Sequence, residues 1–211
     1  ELDENKFPVV IFGSGPAGLS LALELEKKNV NCLIIEAGDE YYNDESQSFY
    51  KINTEGSNLK DILNSRLRQF GGTSASWGGW CKPLSDLDFS KTGLNPNEIK
   101  KYQSQTCEIL GIKNSFKESL INEDFNQIEF QYSDVRFYDK YFSHIKTSKN
   151  IFLLLNTQLS HFEGENQKAE KAICISNGKF LNIKSSEFIL CCGGIENSRI
   201  LLWTKFKNKN L

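Results

Sequence analysis

Residues 8–38, PVVIFGSGPAGLSLALELEKKNVNCLIIEAG, leave the chain few ways to fold. An apolar run, Val9 to Phe12, meets Gly13-x-Gly15-x-x-Gly18, then a helical stretch, then a second apolar run, Cys32 to Ile35, that ends in Glu36. Each part has a physical task in a strand–turn–helix–strand unit. Gly13 permits the tight turn, Gly15 lets a pyrophosphate approach the main chain, and Gly18 lets the helix pack on the sheet. The helix N-terminus then offers free N–H groups and the positive end of its dipole to an anion. Glu36 lies 23 residues beyond Gly13, close to the roughly 20-residue offset of a carboxylate that binds a ribose 2′-hydroxyl. That carboxylate would repel a 2′-phosphate, so the expected ligand is FAD or NAD rather than NADP. A tight turn without a ligand is the plainer alternative.

The 211 residues carry a formal net charge of −2, too balanced for a nucleic-acid binder. No apolar run approaches the roughly 20 residues of a membrane helix. Six cysteines occur without a Cys-x-x-Cys pair, and neither histidine is near a cysteine pair, so no metal site is expected. Cys32, Cys174, Cys191 and Cys192 fall in predicted strands as small apolar groups, and reduced thiols in a cytoplasmic protein are the expectation. The chain begins at Glu1, contains no methionine and stops soon after a helical stretch, which suggests a piece of a longer protein.

The pattern predicts a helix from about Ala17 to Lys28, a polar loop to about Asn53, and a short helix over Leu59–Arg66. A second glycine-rich segment follows, Arg66-Leu-Arg68-Gln-Phe-Gly71-Gly72-Thr73-Ser-Ala-Ser76-Trp77-Gly78-Gly79-Trp80. Two glycine pairs among hydroxyl and aromatic residues imply main chain lying close against something, here a phosphate and a planar ring. Asn95-Pro96 starts a helix that Gly111 ends, residues 114–135 read as irregular, and a helix is expected over Tyr138–Lys146. From Ile151 onward five short apolar runs, Ile151–Leu155, Gln158–Phe162, Ala172–Ser176, Phe180–Ile183 and Phe188–Cys192, read as strands. The last runs into Gly193-Gly194 and a helix, a second strand–glycine–helix junction.

Three segments in order, GSGPAG with EAG, RQFGGTSASWGGWCKPLSDLDF and FILCCGGIENSRILL, resemble the glucose–methanol–choline family of flavin oxidoreductases. The resemblance covers most of the chain and selects FAD over NAD. It implies an α/β fold: a Rossmann-like, doubly wound parallel sheet that binds FAD, a small antiparallel β-meander, and a partial lid or substrate segment. Residues 1–83 would form the first part of the FAD-binding domain, 84–148 a lid or substrate-side insertion, and 149–211 the return segment. It also implies that Gly13, Gly15, Pro16, Ala17 and Gly18 line the pyrophosphate, that Glu36 holds the adenosine ribose, and that Ala37 flanks the adenine. Arg68, Gly71, Gly72 and Thr73 would meet the pyrophosphate and ribityl chain, and Trp77, Gly78 and Gly79 the isoalloxazine. Leu159 would touch the adenine, and Gly193 and Gly194 would close over the flavin.

Family members that tether flavin through this loop carry a histidine where this chain has Ser76, so non-covalent FAD is expected. The implied reaction is oxidation of a small-molecule alcohol of the sugar or polyol class by hydride transfer to flavin N5. The family's proton-abstracting histidine lies beyond the residues present, so no catalytic base is assigned. His144 and His161 read as structural or surface residues. Oxygen, a quinone or a haem partner remain open as electron acceptor. A non-catalytic FAD-binding fragment, or another flavoprotein class with the same nucleotide fold, is the rival reading.

Overall fold

The computed structural model describes residues 6–53 and 62–211, arranged as two compact units: Glu1–Ser76 with Arg136–Leu211, and Trp77–Val135. The first unit opens with β1 (Val9–Phe12), α1 (Pro16–Lys27), β2 (Cys32–Ile35) and a one-turn α2 (Asp44–Gln47). The second unit holds β3 (Trp80–Cys81), α3 (Asp86–Thr92), α4 (Pro96–Lys100), α5 (Gln103–Leu110), β4 (Glu118–Leu120), β5 (Asn126–Ile128) and β6 (Gln131–Tyr132). The chain then returns to the first unit with α6 (Phe137–Thr147), strands β7 (Ile151–Leu154), β8 (Thr157–Glu165), β9 (Lys168–Ser176), β10 (Lys179–Lys184) and β11 (Glu187–Leu190), and α7 (Gly194–Lys207).

The first unit is built on a parallel sheet in the order β11–β1–β2–β7. All four residues of both β1 and β2 are buried, which is why these strands read as unbroken apolar runs rather than alternating ones. The crossover β1–α1–β2 joins neighbouring parallel strands, as short connections through a helix do. Leu19 and Ala22 of α1 are fully buried, and Asn29, with a left-handed φ of 56°, ends the helix as an αL residue does. The antiparallel meander β8–β9–β10 packs beside this sheet. Phe12, Leu33 and Ile35 from the sheet share one core with Leu159, Phe162, Cys174 and Ile183 from the meander and Ile200 from α7. The outer face of α7 leaves Leu201, Leu202 and Phe206 exposed.

Several elements differ from the sequence-based expectation. The polar loop before Asn53 contains α2, because the Asn43 side chain accepts from Ser46 N and caps a turn. Of the expected helix over Leu59–Arg66, residues 59–61 lie outside the described residues and 62–66 form turns. The helix from Pro96 is two pieces, α4 and α5, interrupted at Lys101–Tyr102. Residues 114–135 carry three strands of two or three residues, too short to leave a period. Cys191 and Cys192 follow the end of β11 rather than lying in it, and all six cysteines are free.

Neither histidine belongs to a metal cluster, and among the described residues no group of three ligating side chains is placed to hold a metal. His144 on α6 meets Glu26 on α1 at 2.6 Å. His161 on β8 lies 3.8 Å from Glu163 with its side chain mostly buried. Burial holds the His161 pKa below its ordinary value, against the opposing charge of Glu163. A base whose folded pKa is depressed favours folding above its unfolded pKa of about 6.5 and loses that contribution as pH falls from there through the folded value. Denaturant unfolding should therefore show a fall in stability between pH 7.5 and 5.5 that His161→Gln reduces; identical slopes for both proteins would refute the assignment.

Candidate functional site

Three turns meet at the C-terminal ends of β1, β2 and β11, where open α/β sheets bind ligands. The turn after β1 is locked to its neighbours by Gly13 N donating to Ile35 O at 2.8 Å and Cys191 N donating to Phe12 O at 2.7 Å. The loop at residues 71–75 joins them directly, because Gly71 N donates to Ser14 O at 3.1 Å. A Cβ on Gly72 would lie 3.2 Å from the Gly15 Cα. Together they border a cavity of about 790 Å³, inside the roughly 300–1,000 Å³ range of small-molecule sites.

The glycines of these turns fall into two physical classes. A Cβ on Gly18 would sit 2.0 Å from Gly13 O, one on Gly13 2.5 Å from Cys191 O, and one on Gly71 2.9 Å from Tyr138 N. The protein's own main chain excludes side chains there. A Cβ on Gly15, Gly193 or Gly194 would meet nothing within 4 Å. Gly193 has a φ of 80°, which itself calls for glycine; at Gly15 and Gly194 no contact among the described residues accounts for bare main chain, and all three line the cavity.

The charged and polar groups agree with this division. The N-terminus of α1, at Gly15-Pro16, has no side-chain cap and no acid in its first turn, so its orphan N–H groups stay open to an anion. Glu36 is buried. One of its oxygens accepts from Ser14 N at 3.0 Å and Ser14 Oγ at 2.7 Å, and the other from Gly38 N at 2.8 Å. The second oxygen keeps a lone-pair direction for a ribose hydroxyl. Glu36 thus ties the β1 turn to the β2 turn.

Arg68 is held by Ser46 Oγ and by Gln158 Oε1 at 2.9 Å, with its guanidinium 4.7 Å from the Phe49 ring centre. Burial lowers its pKa. Burial, with the charges of Glu36 and Glu196, pushes the Tyr50 phenol up to about 12, so Tyr50 lines the cavity as a neutral hydrogen-bonding group. Burial likewise pushes the Cys192 thiol up to about 12, which leaves it a poor nucleophile.

Of the residues singled out in the sequence, Gly13, Gly15, Pro16, Ala17, Glu36, Ala37, Arg68, Gly72, Thr73, Leu159, Gly193 and Gly194 border this one cavity. Gly18 and Gly71 stand behind the turns as packing positions. Trp77, Gly78 and Gly79 belong to the second unit. There Trp77 Nε1 donates to Val135 O at 3.1 Å, and a Cβ on Gly79 would lie 2.1 Å from Ser133 O. The cavity wall also contains Tyr50, Arg66, Gln158, Glu196 and Arg199, which sequence reasoning did not single out. The spacing of Glu196 and Arg199 on one helix face was the available signal.

Bare main chain, an uncapped helix N-terminus and a buried acid at the second strand fit an adenine dinucleotide. Residues 6–49 match the FAD binding domain family. No curated protein matches the chain. Among solved structures the fold is similar to that of pyridoxine 4-oxidase from Mesorbium loti, with a TM-score of 0.59 and 15% identity, over 93% of this chain and 51% of that one. The chain spans about half the length of that relative. The structural likeness shows the fold, and the family match over the β1–α1–β2 unit makes FAD rather than NAD the cofactor.

Proposed function

We propose that the protein serves the oxidation of an alcohol group on a small molecule of the sugar or polyol class, as a member of the glucose–methanol–choline family. The convergence of the β1, 71–75 and β11 turns on one cavity, with Gly15 and Gly194 free of contacts that would exclude a side chain, is the observation that carries the flavin part of this reading; the alcohol substrate follows from the resemblance to that family. When bound, FAD supplies the two-electron acceptor for hydride from the carbinol carbon. Gly15 and the open N-terminus of α1 receive the pyrophosphate, Glu36 and Ala37 the adenosine end, and Arg68, Gly72 and Thr73 the stretch toward the ribityl chain. Gly193 and Gly194 would close over the flavin, and Leu159 would support the adenine. Ser76 stands where tethering members carry a histidine and offers no imidazole for a tether, so the cofactor stays non-covalent.

A second reading, FAD binding without turnover, is favoured by the acids and bases of the cavity wall. Its described carboxylates are Glu36 and Glu196, each already engaged through both oxygens, and His144 and His161 do not border it. Anaerobic mixing of the FAD-loaded protein with a panel of aldoses, polyols and simple alcohols separates the two. Bleaching of the flavin band by a sugar or polyol supports the enzymatic reading. A flavin reduced by dithionite but by no alcohol establishes binding alone.

A further inference from the structure

We propose that Arg66 is an anion-binding residue of this cavity, donating from Nε and Nη2 to the diphosphate of the dinucleotide. The inference rests on the FAD reading of the site and adds a contact to it. Arg66 Nη1 pairs with Glu196 Oε1 at 3.0 Å, and the side chain keeps only 13% of its accessible surface. The guanidinium carbon sits 4.0 Å from the centre of the Tyr50 ring. Nε and Nη2 are buried and find no acceptor among the described residues. Buried donors of a charged group are normally hydrogen-bonded, and leaving them unmatched is costly. Arg66 and Tyr50 both border the cavity, and a diphosphate bound there would be the acceptor that these two donors lack.

The charge balance points the same way. Glu196 is shared, its second oxygen pairing with Arg199 Nε at 2.7 Å. One carboxylate therefore faces two guanidiniums. The described charged residues of the cavity wall are Arg66, Arg68 and Arg199 against Glu36 and Glu196, an excess of one positive charge. Arg68 has acceptors for its guanidinium in Ser46 and Gln158; Arg66 has donors to spare. Paired N–H groups of a guanidinium match two phosphate oxygens in a fork geometry. The diphosphate is the part of FAD that is anionic at neutral pH.

ADP and adenosine, titrated calorimetrically into the full chain, test the assignment. Arg66→Gln should weaken ADP by about 30-fold, the scale of lost charge-assisted hydrogen bonds, and leave adenosine unchanged. Glu196→Gln breaks the same ion pair but keeps the donors, so ADP should bind as well as before or more tightly. Circular dichroism and thermal melting verify that each variant folds. If Arg66→Gln does not fold, Arg66→Lys keeps the charge beside Glu196 and loses the fork, and ADP should weaken selectively there too.

Unchanged ADP affinity in a folded Arg66 variant would overturn the proposal, as would equal losses for ADP and adenosine. A Glu196→Gln loss matching that of Arg66→Gln would also overturn it, by showing a structural role. Wild-type protein that binds FAD while the Arg66 variants bind ADP normally defeats this proposal alone. Wild-type protein that binds neither ADP nor FAD defeats the reading of the site as well.

Discussion

Valine at position 15 is expected to leave the fold standing and to weaken FAD binding by at least roughly 100-fold, about 2.7 kcal/mol. The Gly15 backbone is extended, at φ −71° and ψ −177°, a conformation open to β-branched residues and favoured before proline. A Cβ there meets nothing within 4 Å and Gly15 borders the cavity, so the added side chain starts into the space proposed for the ligand. The loss in stability should be about that of a poorer N-cap, roughly 1 kcal/mol or less. Gly18→Ala is the counterpart. Its Cβ would lie 2.0 Å from Gly13 O, main chain that has no room to retreat. Overpacking of that kind costs about 3 kcal/mol or more, so this smaller substitution should lower the melting temperature markedly. Thermal melts and fluorescence titrations with FAD on both variants check the pair. Strong FAD binding by Gly15→Val, or an unperturbed melt for Gly18→Ala, would remove the division of the glycines into ligand-facing and packing classes.

The second large effect is expected at Glu36. Removing its carboxylate in Glu36→Ala strands Ser14 N, Ser14 Oγ and Gly38 N, three donors that now share two carboxylate oxygens. Each buried unmatched donor costs about 1–3 kcal/mol, and a domain of this kind has only about 5–15 kcal/mol in hand. Urea unfolding should show a loss of at least about 3 kcal/mol, large enough to unfold part of the population without denaturant. Glu36→Gln keeps one accepting oxygen and turns the other into a donor facing an N–H group or a hydroxyl, so an intermediate loss is expected. A Glu36→Ala protein with near-native stability would show that the carboxylate does not tie the two turns together.

The same Glu36 shows what the sequence could and could not convey. Its distance from Gly13 pointed to a ribose acid, but the hydrogen bonds that make it a brace between two turns depend on where Ser14 and Gly38 come to rest. The buried strands were legible because a parallel sheet covered on both faces leaves continuous apolar runs. The break at Tyr102 and the two- and three-residue strands of the second unit were not, since elements that short carry no period. Glycine-rich segments announced close approach of the main chain without naming the neighbour. For Gly15 and Gly193 the neighbour is open cavity, for Gly79 it is Ser133, and for Gly38 it is Arg68 O. The resemblance singled out Arg68 and was silent on Arg66. Only their partners distinguish a guanidinium already engaged by Ser46 and Gln158 from one with two donors left over.

A structure of the chain soaked with FAD tests the central claim most directly. The expected result is a single FAD running through the cavity, its diphosphate against Gly15 and the N-terminus of α1 and its length passing Gly72 and the Gly193–Gly194 turn. FAD bound elsewhere, or touching the β1 turn while the 71–75 and β11 turns stay clear of it, would contradict the account.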